Sequence, residues 1–271
     1  MQTIQIITAT KIALSLAILI YSSWSDYKTR EVTNRAWAVY APLALALTLA
    51  ELCLHDTAKL MPYAISFAVT AAIALLLFYT GAFGGADSKA FICIALALPF
   101  YPETLLTPIV TAGISPIAQN LFPLTIFSNS VLFAAASGIY MLLRNLAWKI
   151  KTRQKLFDGS LKAETAGKKL LVLITGHKFP IGKLQETWHI YPMEDVETEE
   201  NPPKRKLLIV PKDENRNEIV ERLAKAASTG KISFDVWATP GLPMLIFVTI
   251  GLIAALLIGD IIWLLISFFL S

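Results

Sequence analysis

A chain of 271 residues with 55% hydrophobic and only 16% charged residues, at a mean hydropathy of +0.57, is too apolar for a soluble domain, where charged residues are about 25%. The net charge of +4 is concentrated: residues 147–237 hold 17 of the 24 Lys and Arg and 13 of the 20 Asp and Glu, leaving seven of each sign for the other 180 positions. Because both signs are interspersed there, the pattern is that of an ordinary solvated surface and excludes a nucleic-acid groove. The composition therefore predicts an apolar membrane body carrying one soluble insert.

A helix crossing about 30 Å of hydrocarbon needs roughly 20 mostly apolar residues. The runs that qualify or approach this are Ile4–Trp24, Trp37–Leu54, Met61–Phe83, Ser88–Phe100, Phe122–Leu146 and Leu242–Leu270. Six spans are predicted. The first continues past Lys11 to Trp24 with neither a basic start nor a small-residue cleavage site, so residues 1–24 read as a retained span. The fourth is shortest, at 13 residues, and Pro99 and Pro102 punctuate its end. From Thr104 to Leu143 no residue is charged, yet Pro108, Gly113, Pro116 and Pro123 interrupt the run, which predicts a partly re-entrant segment. Cys53 and Cys93, both in apolar stretches, build neither a disulfide framework nor a thiolate zinc site.

Lys and Arg in short connections mark the cytoplasmic side. The first connection holds Lys28, Arg30 and Arg35, the third Lys89, and the fifth opens with Arg144, Lys149 and Lys151, whereas the second has only Lys59 and the fourth has none. Odd-numbered connections are thus expected in the cytoplasm and both termini outside. Lys11 is the misfit, read as snorkelling to the outer interface. The domain plan is then a five-span body over 1–146, a small α+β cytoplasmic insert over 147–237, and a sixth transmembrane helix within 238–271. In the insert, Lys169–Ile174 and Lys206–Val210 have the character of short strands, Asn215–Ala227 has helical spacing, and Glu194–Pro203 reads as an acidic linker.

Carboxylates at or inside a bilayer boundary are costly and point to function. Asp26 closes span one, Asp87 opens span four after Gly84 and Gly85, and Asp260 lies in span six. The predicted topology puts Asp26 and Asp87 at one cytoplasmic level, with Asp260 roughly 27 Å from that side. Two carboxylates sharing a level on different helices can share a proton, one activating water while the other polarises a carbonyl, which is aspartic proteolysis. Gly84 and Gly85 would permit backbone conformations closed to other residues. Helix-start N–H donors at Asp87 would favour its anion and leave Asp26 as the proton holder.

Plainer roles exist for every one of these residues. Asp87 fits a helix N-cap, Asp26 a charged interfacial loop, Asp260 an interhelical hydrogen-bond partner, and Lys28, Arg30 and Lys89 topology determinants. His55, His177 and His189 lack metal-ligand spacing, and neither a phosphate-cradling loop nor a serine nucleophile elbow occurs.

Taken together, two segments are more specific than either alone. Asp26-Tyr27-Lys28-Thr29-Arg30-Glu31-Val32-Thr33-Asn34 resembles the first aspartate motif of type IV prepilin peptidases, and Gly84-Gly85-Ala86-Asp87 resembles their GxGD motif, with Ala86 in place of the second glycine. The layout, the late insert and Trp237-Ala238-Thr239-Pro240-Gly241-Leu242-Pro243 resemble the archaeal preflagellin peptidase branch. The cysteine-bearing methyltransferase region of bacterial members is missing from the first connection, so methylation is not expected.

The resemblance implies a membrane aspartic endopeptidase with Asp26 and Asp87 as the catalytic pair, supported by Gly84, Gly85, Lys28, Arg30 and Lys89. It implies no cofactor or metal, and cleavage of the basic leader of preflagellin or pilin-like precursors at the cytoplasmic face of the cell membrane. Expected partners are those precursors and membrane lipids, not nucleic acid. Two rivals predict differently. An ion-coupled transporter would put Asp260 at its centre and show repeat symmetry; a non-catalytic scaffold would leave the Asp26 and Asp87 carboxylates apart.

Overall fold

The computed structural model describes residues 2–109, 114–197, 204–209, 215–241 and 243–270. These form two compact units, one from residues 1–134 with 243–271 and one from residues 135–242.

The first unit is a helical bundle of α1 (Gln2–Thr29), α2 (Asn34–His55), α3 (Leu60–Tyr79), α4 (Gly85–Ala97), the short α5 (Pro116–Asn120), the first part of α6 (Phe122–Thr152), α10 (Met244–Leu257) and α11 (Ile261–Leu270). Among the described residues, four helical segments are long and apolar enough to cross a membrane: Gln2–Thr29, Asn34–His55, Thr57–Tyr79 and Phe122–Thr152. Met244–Leu257 with Ile261–Phe269 makes a fifth if that pair, bent by 60°, is one span. The predicted count of six is not reproduced. α4 has 13 residues, about 20 Å of helix, and the last run is broken where an unbroken span was expected. The break has a local cause: Gly259 sits at φ 93°, and Asp260 stops the chain from running on by accepting the Trp263 N–H at 3.0 Å, capping α11.

α4 is short but central. It packs on α1, α2, α3 and α10, and Ser88, Ala90, Phe91, Cys93, Ile94, Ala95 and Ala97 are buried. Past its end the backbone runs irregularly, as the prolines predicted, and protein groups meet its polar atoms. Thr48 Oγ1 donates to the Ala97 carbonyl, Ser66 Oγ and the Phe122 N–H to that of Pro99, and Tyr101 donates twice, its N–H to the Ala118 carbonyl and its hydroxyl to that of Leu256. Non-helical backbone survives at membrane depth only when satisfied in this way. Residues 110–113 of the expected re-entrant stretch lie outside the described residues.

Lys11 does not snorkel. It is buried and ion-paired with Glu51 of α2, whose other oxygen accepts the Thr8 hydroxyl at 2.9 Å. The ion pair offsets part of the desolvation of its buried ammonium.

The second unit contains the rest of α6, then α7 (Ala166–Thr175), β1 (His177–Pro180), α8 (Ile181–Glu186), β2 (Tyr191–Pro192), β3 (Glu194–Glu197), β4 (Lys204–Leu207), α9 (Arg216–Ser228) and β5 (Asp235–Thr239). β5 is the centre of an antiparallel sheet ordered β1-β5-β2, with His177 opposite Ala238 and Tyr191 opposite Thr239, and β3 pairs with β4 from Glu194–Leu207 to Glu197–Lys204. The α9 helix agrees with the sequence reading, whereas β4 overlaps the expected strand only at Lys206 and Leu207: Leu208 and Ile209 are not strand, and Val210 lies outside the described residues. Two expectations fail. Lys169–Ile174 is helical, within α7, and Glu194–Glu197 is a strand where a linker was predicted; 198–203 of that linker are outside the described residues. Leu223 of α9, Leu184 and Val236 anchor one apolar core, and Val172, Met193, Leu207 and Trp237 anchor another, where Phe157 stacks on Trp237 at 5.1 Å.

His177 at the head of β1 is buried, and burial, with the charge of Arg144 beside it, pulls its imidazole down to about 4. Between that value and the free value near 6.5 the unfolded chain binds a proton that the folded one refuses, so stability falls as pH is lowered through this window. The loss is at most about 1.4 kcal/mol per pH unit. Thermal unfolding of the native chain and of His177→Gln between pH 4 and 7.5 is expected to show a shallower acid limb for the variant; parallel limbs would remove His177 as the cause.

Candidate active site

α1 ends because Arg30 adopts a left-handed conformation at φ 55° while its N–H closes back on the Asp26 carbonyl at 3.0 Å. That termination leaves Asp26, half-buried, in the last turn of α1. Across from it stands the start of α10, whose Leu245 N–H is directed at the Asp26 carboxylate. The pairing of these helices is held by Ser23, which donates to the Leu245 carbonyl and meets the Thr249 hydroxyl, both at 2.8 Å. On the other helix Asp87 occupies the third position of α4 and accepts the Gly84 N–H at 3.1 Å. This is the reciprocal half of a capping box. Asp87 is thus not the N-cap that its position after the glycines suggested; Gly84 is.

α1 and α4 are in contact, and the Asp87 carboxylate feels the charge of Asp26. Each carboxylate therefore meets backbone N–H groups at the start of a helix, Asp26 at α10 and Asp87 at α4. Asp26 was expected to lack the helix-start donor that Asp87 has; α10 gives Asp26 a donor of the same kind.

The glycines act differently from the expectation. Neither Gly84 nor Gly85 takes a positive φ: Gly84 is extended at φ −71°, and Gly85 and Ala86 begin α4. What Gly84 supplies is space, since a Cβ there would lie 3.1 Å from Asp87 Oδ2. Ala86, in helical conformation, costs the turn nothing. Of the three cations, Arg30 bears on Asp26. Lys28 lies over the Trp24 ring at 4.5 Å, and Lys89 donates to Asn34 Oδ1 at 2.7 Å, tying α4 to the first residue of α2.

The sequence reading missed the α10 N-terminus, Ser23 and the Lys89–Asn34 tie. Pro240, Gly241 and Pro243 do mark a helix start, but what that start faces is set by packing. Asp260, central to the transporter reading, is buried, caps α11 and accepts the Ser115 hydroxyl at 3.0 Å. Among the described residues no group of three or more His, Cys, Asp or Glu is placed to hold a metal ion. A cavity of about 490 Å³ lined by Thr8, Lys11, Glu51 and Tyr101 opens elsewhere in this unit and includes neither Asp26 nor Asp87.

Residues 13–142 match the model of the type IV leader peptidase family, and residues 168–261 match that of the archaeal peptidase A24 C-terminus, type II. The chain is 27% identical over 259 residues to a preflagellin peptidase of Methanococcus voltae, covering 92% of this chain and 94% of that one. Preflagellin peptidases of Methanococcus maripaludis (21%) and Methanocaldococcus jannaschii (22%) align over 89% of this chain and 92% and 91% of theirs. This is a type IV and preflagellin peptidase-like protein. Within this peptidase-like chain the first match spans Asp26 and Asp87 together with α2, α3 and α4, and the second runs from α7 to the start of α11.

Proposed function

We propose that the chain is an integral-membrane aspartic endopeptidase that removes the short basic leader of preflagellin or a related type IV pilin-like precursor at the cytoplasmic membrane face. The observation that carries this reading is that two carboxylates on contacting helices, α1 and α4, each face backbone N–H groups at a helix start, with the charge of Asp26 acting on Asp87. In the reaction one carboxylate takes a proton from water as the oxygen attacks the scissile carbonyl, and the other gives its proton to the carbonyl oxygen. The tetrahedral intermediate collapses, the C–N bond breaks, the proton taken from water passes to the leaving amine, and the second carboxylate takes back a proton from a hydroxyl of the intermediate. The substrate suits this placement: a leader rich in Lys or Arg stays in the cytoplasm while the following apolar helix lies in the bilayer, so the scissile bond is at the boundary.

Membranes containing this protein, incubated with a tagged preflagellin and with a pilin-like precursor, are expected to yield a new N-terminus just after the basic leader, read by mass spectrometry. Cleavage of neither precursor would overturn the proposal. Gly84 offers a graded test. Gly84→Ala keeps an accessible backbone conformation but pushes the Asp87 carboxylate by a few tenths of an ångström, which is expected to slow cleavage several-fold, up to about tenfold, without lowering yield. An unchanged rate would mean that the Asp87 position is not critical.

A further inference from the structure

We propose that α7, in the stretch predicted to be a soluble insert, lies in the membrane interface with one of its faces buried among lipid acyl chains. The helix has two apolar sides. Val172 is fully buried in the domain core with Met193, Leu207 and Trp237, whereas Leu170 and Leu171, on a stripe with Gly167 and Ile174 at helical spacing, are 55% and 39% exposed.

What covers that stripe is indicated by where α7 sits on α6. The Cβ and carbonyl oxygen of Ile174 lie 3.5 Å from the place a Cβ would occupy at Gly138. Gly138 belongs to the run from Thr104 to Leu143 that contains no charged residue, and it is six residues, about 9 Å of helix, inside Arg144. The α6 face along this stretch, with Ile139 and Tyr140 63% and 64% exposed, is the face a spanning helix turns to lipid. The exposed leucines of α7 prolong that surface, at the depth of about 5–10 Å typical of interfacial helices.

The end of α7 next to α6 is also built for a dry setting. Asn145, itself buried, donates to the carbonyls of Leu173 at 2.9 Å and Gly176 at 2.7 Å, Thr239 Oγ1 donates to that of Thr175, and the Gly176 N–H to that of Val172. Water usually serves the last carbonyls of a helix; here side chains and backbone do. The opposite end carries Lys168 and Lys169, which suits the headgroup layer. A helix is moreover the backbone form that tolerates lipid, as the expected strand would not.

The test uses the native full-length chain in bilayers containing a phospholipid with a photoactivatable diazirine in its acyl chain, followed by mapping of adducts by mass spectrometry. Adducts are expected on Leu170 and Leu171 at a yield comparable to that on Ile139 and Tyr140. Their absence from residues 170–175, whatever the yield on α6, would overturn the proposal, as would protection of these leucines by a second copy of the chain, detected as a protein–protein cross-link in their place.

Discussion

Asp87→Asn in the full-length chain is expected to reduce precursor cleavage by about 10³-fold or more while membrane-inserted yield stays at the native level. The reason for the clean separation is structural. An asparagine oxygen can still accept the Gly84 N–H that fixes the start of α4, so the helix cap survives while the proton-carrying group is lost. The same holds for Asp26→Asn, whose amide oxygen can accept the Leu245 N–H. If the pair works as one unit, the double variant should be no slower than either single one, because removing one member already disables the other. Rates are read from the appearance of the processed precursor in detergent-solubilised membranes at fixed enzyme. Retained processing in either single variant would overturn the catalytic assignment; additive losses in the double would mean that the two acids act independently.

The readability of this chain from its sequence follows the strength of each physical signal. Long apolar runs gave away α1, α2, α3 and α6, since the hydrocarbon length requirement leaves few alternatives. It did not reveal the break in the last run, although Gly259 and Asp260 stand at the bend: a single glycine and one acid are weak against nearly thirty apolar residues. Lys11 was misread because a lone lysine suggests an interface, and its partner Glu51 is 40 positions away. α7 was misread because Lys169–Ile174 is a short, nearly continuous apolar run, and such a run is ambiguous between strand and helix. At the site, the two acids announced themselves as charges at helix ends. The role of Gly84 did not, because space beside Asp87 Oδ2 is a three-dimensional property, and so is the approach of α10 to Asp26.

The second large effect is expected in the other unit, at Arg205. Its guanidinium is buried in β4, bridging both oxygens of the fully buried Glu194 on β3 at 2.9 Å and reaching Asp158 at the same distance. Burial works against the charged guanidinium, and Glu194 and Asp158 more than reverse it, so Arg205 holds its proton more firmly than in water. Glu194→Ala removes the bidentate partner and strands a cation beside Asp158, which is itself partly exposed. Breaking a buried pair on one side costs about 3–5 kcal/mol, a drop in the unfolding temperature on the order of 10 °C for a chain of this size, followed by tryptophan fluorescence with Trp237 as a core reporter. Replacing both partners with apolar residues, Glu194→Leu with Arg205→Met, removes the stranded charge as well as the pair and is expected to recover most of that loss. A double variant as unstable as Glu194→Ala would show that the ion pair itself, and not the avoidance of an unpaired charge, holds β3 against β4.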